Sequence, residues 1–278
     1  MKAFLSSFRL RGPQGFLSIR ESLGTPLKIV LGAIPIVLIF LRWHLATAGA
    51  AEERLISPTI LPSPGEVIRS FPSLWFQAEL SRSALTSALR VVIGFGVAWV
   101  IAFPLGIFMG AFTKVGATFS PVMVFLGYLP IPALVPLTMS LFGVDELQKV
   151  MFLALAFFIY LLPLFVRAVS DVDNVFLQTA YTLGATRWQT LRRVLLPVAL
   201  PRIVHAMRLG FGVGWTYIIL AEMVAAERGL GNIIIVAQRR GPREHIYLVL
   251  VVIVMIAYLT DKFWVVLSRY LFPYQEAR

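Results

Sequence analysis

The sequence predicts an all-α, polytopic membrane protein with six transmembrane helices and both termini in the cytoplasm. Three observations predict it. Of the 278 residues, 58% are hydrophobic and 14% are charged, with a mean hydropathy of +0.82, a balance foreign to soluble domains of this length. The apolar residues gather into runs near the roughly twenty residues that cross a bilayer core. Lys and Arg are also unevenly placed. With the N-terminus inside, fifteen fall in inner segments and eight in outer ones, the asymmetry that sets orientation in membranes.

Residues 1–25 read as a basic cytoplasmic segment. No small-residue cleavage site follows a short apolar stretch, so Pro26–Ala48 is a retained first span and not a removed leader. Residues 49–83 form an outer loop. Within it, Ser63 can cap a helix with Pro64 at its first position and Glu66 three residues after the cap. Val67, Ile68, Phe71 and Trp75 then recur at helical spacing, so Pro64–Trp75 is expected to be one amphipathic helix. Val91–Thr113 is the second span and Val115–Val144 the third. Pro130, Pro132 and Pro136 bend or break the third, which is tolerated where backbone is buried in protein or lines a wet cavity. Val150–Val166 is the fourth span, and Ile203–Ala226 the fifth, with Arg208 near its inner end and Glu222 near its outer end. Gly229–Gln238 is too short to cross and lies at the surface or dips partway in. The sixth span, Ile246–Thr260, continues past Asp261 and Lys262 to Leu267. Residues 84–270 are thus a five-helix core that includes a cytoplasmic loop at 172–201, and 271–278 are a tail.

Several function classes fall away. The chain has no cysteine, which excludes disulfides, thiol chemistry and zinc–thiolate sites. His44, His205 and His245 are far apart, with no acidic or nucleophilic residue in register, and neither H-E-x-x-H nor G-x-S-x-G occurs. No metal or catalytic centre is expected. The phosphate loop G-x-x-x-x-G-K-[ST] is also missing, so ATP hydrolysis by this chain, or a cofactor on it, is not expected. The net charge of +11 is read as cytoplasmic loops against lipid, not nucleic-acid binding. One outer segment resists that pattern. Glu227–His245 has four arginines against Glu227 and Glu244. These pair locally or with lipid phosphate, or they form an electropositive outer mouth.

Ionisable groups near membrane depth are functional candidates by default. Arg90, at the edge of the second span, either snorkels to the outer interface, contacts an anion, or pairs with Glu222. Arg208 is expected to face headgroups, and Asp261 and Lys262 to make separate interfacial contacts. Gly94, Gly96, Gly106 and Gly110 suggest close packing against another span, with a dimer contact as the alternative. Gly210, Gly212 and Gly214 either line a path or pack against a neighbour. Phe157, Phe158 and Tyr160 pack against lipid or protein, with substrate stacking as the alternative.

The cytoplasmic segment Gln178–Pro201 reads QTAYTLGATRWQTLRRVLLPVALP. Asp173 or Asn174 can cap a helix over Val175–Leu183. Phe176, Ala180 and Leu183 share a face, and Thr179 and Ala180 keep the helix slim. Gly184 suits the left-handed position that ends a helix. A second helix starts at Ala185 or Thr186 and breaks at Leu196-Pro197 and again at Pro201. The expected product is a rigid helix–turn–helix that fits a groove in another protein.

That segment resembles the EAA loop of permease subunits of bacterial ATP-binding-cassette importers: Gly184, then Val194, then Leu196-Pro197 match its spacing, and Ala180 matches the last residue of the first triplet. Gln178 and Thr179 differ from the family residues. Leu61-Pro-Ser-Pro64, Gly127–Leu137, Leu141–Glu146, Gly212–Trp215, Ala221-Glu222 and Gly229-Leu-Gly231 resemble the branch that imports nitrate, sulfonates, taurine or bicarbonate. The resemblance implies a type I importer-permease (MetI-like) fold in the bacterial plasma membrane. It implies a second permease copy, two cytoplasmic ATPase subunits that carry ATP and Mg, and an extracytoplasmic substrate-binding protein. Phe176, Gln178, Thr179, Ala180, Leu183, Gly184, Ala185, Leu196 and Pro197 would couple to the ATPase. Arg90, Tyr128, Pro132, Trp215 and Glu222 are the candidate substrate path. Alternatives are import of a neutral or cationic organic solute such as a pyrimidine precursor, or secondary transport without an ATPase.

Overall fold

The computed structural model describes residues 23–50, 52 and 54–274. Residues 1–22 of the expected N-terminal segment, and 275–278 of the tail, lie outside the described residues. All regular structure among the described residues is helical. The helices are α1 (Thr25–Ala46), α2 (Pro64–Arg69), α3 (Phe71–Phe76), α4 (Leu80–Ala111), α5 (Thr113–Gly127), α6 (Leu134–Phe142), α7 (Glu146–Ser170), α8 (Asn174–Thr182), α9 (Arg187–Thr190), α10 (Leu196–Ala225), α11 (Leu230–Arg240) and α12 (Glu244–Leu271). The chain divides into two units, Met1–Pro64 and Gly65–Arg278.

In the first unit, α1 begins with a proline in its first turn, where no intrahelical N–H is needed. It ends at Thr47, whose hydroxyl donates to the Trp43 carbonyl at 2.8 Å. The Trp43 indole N–H donates to the Pro62 carbonyl at 2.9 Å, which folds the following loop back on the helix end.

The second unit is organised around α7. Phe152, Leu153, Phe157, Leu161 and Phe165 are closed off by their neighbours. In lipid, apolar burial does not itself drive helices together, so close van der Waals approach must do so. The chain meets this need with a row of small residues. Gly94, Ala98, Ala102, Gly106 and Gly110 recur every four residues along α4. A β-carbon at Gly94 would lie 2.8 Å from that of Leu153, and one at Gly106 would lie 2.6 Å from that of Phe165. Close packing is therefore the role of three of the four glycines singled out in this span. Gly96 meets nothing within 4 Å. On α10, Gly210 and Gly214 lie against Leu161 and Phe157 in the same way, while Gly212 faces open space.

These contacts also settle how the third span behaves. Gly94 meets Leu153 and Gly106 meets Phe165, so α4 and α7 run parallel. The chain between them must return to its starting side. The bent pair α5–α6, with 86° between its halves, is thus one crossing broken at Tyr128–Pro132, as the prolines predict. Neither half is long enough to cross alone at 1.5 Å per residue.

Two expectations are corrected. Pro64–Trp75 is not one helix: Ser70 separates α2 from α3, and its hydroxyl donates back to the Val67 carbonyl at 2.8 Å. Val67 and Leu74 are buried, whereas Ile68, Phe71 and Trp75 are exposed. Nor does Leu196-Pro197 break the chain. The helix runs from Arg187 to Val224, because Leu191–Leu195 form a π-helical turn just before the proline. The ring of a helical proline collides with the carbonyl four residues back, here that of Arg193. Wider winding moves that carbonyl aside. Pro201 likewise lies within α10 without ending it.

Candidate functional site: an outer clasp and an inner docking helix

Ser83, Ser87, Arg90 and Gly94 fall at i, i+4, i+7 and i+11 on α4, and all four are buried. This stripe faces the outer ends of α7 and α10. The Arg90 side chain is 4% exposed and serves three elements. Its Nε donates to Glu146 Oε2 at 2.7 Å, and a second terminal nitrogen donates to Glu146 Oε1, forming a fork. The other terminal nitrogen donates to Glu222 Oε1 at 2.7 Å and to the Arg228 carbonyl at 2.8 Å. Glu222 is fully closed from solvent. Its carboxylate also accepts from the Ser87 hydroxyl at 2.7 Å and from the Gly231 N–H at 2.9 Å. The Leu230 N–H donates to Ser87 Oγ at 3.0 Å.

The Gly229-Leu230-Gly231 turn wraps this carboxylate. Gly229 has φ +133°, and a β-carbon there would lie 2.4 Å from the Glu222 carboxylate; one on Gly231 would lie 2.8 Å from Glu222 Cβ. Only glycine admits so close an approach in that conformation. The result is a charged clasp joining α4, α7, α10 and the start of α11. Of the readings open for Arg90, snorkelling is displaced by ion pairing. Ser87 and Glu146 were missed as partners. The four-residue stripe on α4 signals Ser87; nothing local signals Glu146, which opens α7 56 residues from Arg90.

The remaining path candidates do not join this cluster. Trp215 is buried and its indole N–H donates to Thr260 Oγ1 at 3.2 Å, tying α10 to α12. Tyr128, 84% exposed, and Pro132 sit at the α5–α6 bend. Arg208 does not simply face headgroups. Its Nε and a terminal nitrogen donate to the two oxygens of Asp261 at 2.5 and 2.9 Å, a bidentate pair between α10 and α12. Asp261 therefore makes no separate interfacial contact, while Lys262 lies over the Tyr258 ring at 5.2 Å. His245 does have a nucleophilic neighbour: its Nε2 lies 2.8 Å from Ser73 Oγ. That hydroxyl also lies 2.8 Å from the Ser70 carbonyl, and the contact pins α3 to α12. No group of three His, Asp or Glu suited to a metal occurs among the described residues.

On the cytoplasmic side, Asp173 caps α8 by accepting from the Val175 N–H at 3.0 Å. The helix ends as its glycine predicts. Gly184 has φ +78°, its N–H donates to the Tyr181 carbonyl, and the Ala185 N–H donates to the Ala180 carbonyl at 3.0 Å, a Schellman closure. Thr186 and Gln189 then form a reciprocal capping box that starts α9. The free face differs from the expected one. Ala180 is buried, whereas Val175, Phe176 and Leu183 are 60%, 48% and 82% exposed. Gln178 and Thr179 are exposed too, and Ala185 is half-buried. The outward stripe is Val175, Phe176, Thr179 and Leu183, rotated by about one residue from Phe176, Ala180 and Leu183. Ala180 turns inward because α8 packs on the π-helical turn and α9, where only a small side chain lets the two approach. Leu196 and Pro197 lie at the α10 start, Leu196 buried only in part and Pro197 in part exposed. Beside α8, Phe112, Lys114, Tyr181 and Arg187 line a cavity of about 480 Å³.

At the outer end, Arg228 Nε lies 4.0 Å from Glu79. Arg239 and Arg240 stand exposed in the last turn of α11, where cations suit the negative end of a helix. Leu230, Ile233, Ile234 and Ala237 bury the other face of that helix.

Residues 102–271 match the family described as "Binding-protein-dependent transport system inner membrane component". The chain is 32% identical over 265 residues to the taurine transport system permease protein TauC of Escherichia coli (strain K12), spanning 93% of this chain and 94% of that one. It is 28% identical over 224 residues to the putative aliphatic sulfonates transport permease protein SsuC of Bacillus subtilis (strain 168), spanning 80% and 81%. Among solved structures, it is similar in fold to a chain of the inward-facing MetNI methionine ABC transporter, with TM-score 0.64 and 22% identity over 72% of this chain and 98% of that one.

Proposed function

We infer from one premise, that this chain belongs to the family of binding-protein-dependent transport system inner membrane components, that it forms the membrane path of an importer for taurine or a related small organosulfonate. The single observation that carries the substrate class is the end-to-end identity with a taurine permease, supported by that with a sulfonate permease. In this reading two copies of the chain stand side by side in the bacterial plasma membrane. A binding protein delivers substrate at the outer face near Arg239 and Arg240. Two ATPase subunits receive the outward stripe of α8 and carry the ATP and Mg.

The geometry supports the coupling. α8 is capped at both ends, turns at Gly184, and packs on α9 and the π-helical turn, which open the helix that runs from Arg187 to Val224. Force on α8 therefore reaches Glu222 and the outer clasp through one uninterrupted helix. Binding of ATP moves the spans only insofar as the ATPase favours one arrangement of the two α8 helices.

The test is reconstitution of the chain with its cognate ATPase and binding protein in vesicles. Uptake of labelled taurine or ethanesulfonate is expected only when all three and ATP are present, with competition by sulfonates and not by nitrate. ATPase that fails to co-purify with the chain, or uptake that sulfonates leave unchanged, would overturn the reading.

A further inference from the structure

Between Gln148 and Leu162, the central helix α7 has one exposed residue, Tyr160, at 40%. Its hydroxyl lies 3.3 Å from that of Tyr217 on α10, and the two rings are 6.2 Å apart. The residue before Tyr217, Thr216, is exposed, on a face of α10 that it shares with Gly212, which meets nothing within 4 Å. The depth of this patch follows from the helix contacts. Gly214 meets Phe157 and Gly210 meets Leu161, so the tyrosine hydroxyls meet well inside the clasp at Glu222 and outside the Arg208–Asp261 pair. In that interval residues 209–221 of α10 and 150–166 of α7 hold no charged side chain.

Polar groups at this depth do not face hydrocarbon without cost. Lipid packing therefore does not account for two phenol hydroxyls turned to an open side. Their mutual bond uses one O–H as donor and leaves the other O–H free. When that bond opens, both O–H groups can donate to a single oxyanion. A fixed cation here would hold an anion strongly and cost desolvation when empty. Two neutral donors bind it weakly enough to let it leave, as conduction and transport require.

We propose that Tyr160 and Tyr217 form a charge-free, mid-membrane binding station for the sulfonate head of the transported solute, with Thr216 beside it on the wet face. This rests on the permease reading above and adds the residues that hold the solute in transit.

The chain has no cysteine, so one introduced thiol reports its own surroundings. The experiment uses the assembled complex in membrane vesicles with Thr216→Cys. Labelling rates are compared for 2-sulfonatoethyl methanethiosulfonate, an anion that itself carries a sulfonate, and its trimethylammonioethyl counterpart, a cation. Val254→Cys on α12, 67% exposed, is the reference for a lipid-facing thiol. The thiol at 216 is expected to react at least roughly tenfold faster than that at 254, with the anionic-to-cationic rate ratio raised roughly tenfold over that of a free thiol in water, about the effect of one charge-assisted hydrogen bond. Adding Tyr160→Phe and Tyr217→Phe, which keep both rings, is expected to bring the ratio of the two reagents back to that of a free thiol in water.

A thiol at 216 no faster than that at 254 with either reagent would show a dry face and overturn the proposal. A reagent ratio unmoved by the two Phe substitutions would overturn it as well. If the double Phe variant does not assemble, the single Tyr217→Phe variant decides by the same ratio. Failure of the permease reading would appear separately, as absence of ATP-dependent sulfonate uptake in the unsubstituted complex.

Discussion

Replacing Arg90 by methionine removes the charge that holds the outer clasp together and leaves an apolar side chain of similar length. Its effect is asymmetric. Glu146, with a side chain 66% exposed, returns to water at little cost. Glu222, with none of its side chain exposed, keeps Ser87 and Gly231 but has no counter-charge. Stranding a buried charge costs about 3–5 kcal/mol. Glu222→Gln is much milder. The amide oxygen still accepts from Arg90, and Arg90 retains its fork to Glu146 and its bond to the Arg228 carbonyl. A loss of about 1–2 kcal/mol is expected, that of weakened charge-assisted bonds. With both ends apolar, in Arg90→Met with Glu222→Met, no charge is stranded, and the loss is expected to be smaller than for Arg90→Met alone. The assay is reversible denaturant unfolding of the purified chain in mixed micelles, with the four proteins run together. Glu222→Gln as costly as Arg90→Met, or a double variant at least as costly as Arg90→Met alone, would refute the charge argument.

Other outcomes follow from the same geometry. Gly106→Ala is expected to lose about 1–3 kcal/mol, since its new β-carbon meets that of Phe165 at 2.6 Å. Gly96→Ala, with open space around it, should stay within about 0.5 kcal/mol of the parent or gain slightly; equal losses in the same unfolding assay would deny that the α4 row packs as described. Gly184→Val places a β-branched residue at φ +78°, and ATPase co-purification is expected to fall sharply; intact assembly and full uptake would count against the docking loop. Arg239→Glu with Arg240→Glu should slow uptake at low salt and differ little from the parent at about 1 M, where the screening length is near 3 Å. A deficit that salt does not alter would remove the steering role.

Much of the fold is legible in the sequence because the bilayer imposes a length. The third span's break is legible because three prolines fall in one run. Leu196-Pro197 misleads because proline is read as a stop, and the π-helical turn that accommodates it has no sequence period of its own. On α8, the small residues read as the docking face. A small residue serves close packing within the chain equally well, and Ala180 is used that way. Arg90 and Glu222 are paired readily, since both stand near outer span ends. Arg208 and Asp261 are not, because Lys262 beside Asp261 suggests a simpler local balance. Tyr160 reads as packing against lipid or protein, and nothing in the sequence pairs it with Tyr217, because exposure on one side of α7 is a tertiary property.

The central claim is that the outward stripe of α8 is gripped by a separate ATPase. A single cysteine at Leu183, 82% exposed, or at Ala180, turned inward, tests it in the assembled complex with a short reagent that joins a thiol to an amine. Leu183→Cys is expected to yield a permease–ATPase adduct whose amount changes with ATP, and Ala180→Cys little or none. An ATPase that never cross-links to position 183 in a complex still importing substrate would contradict the account.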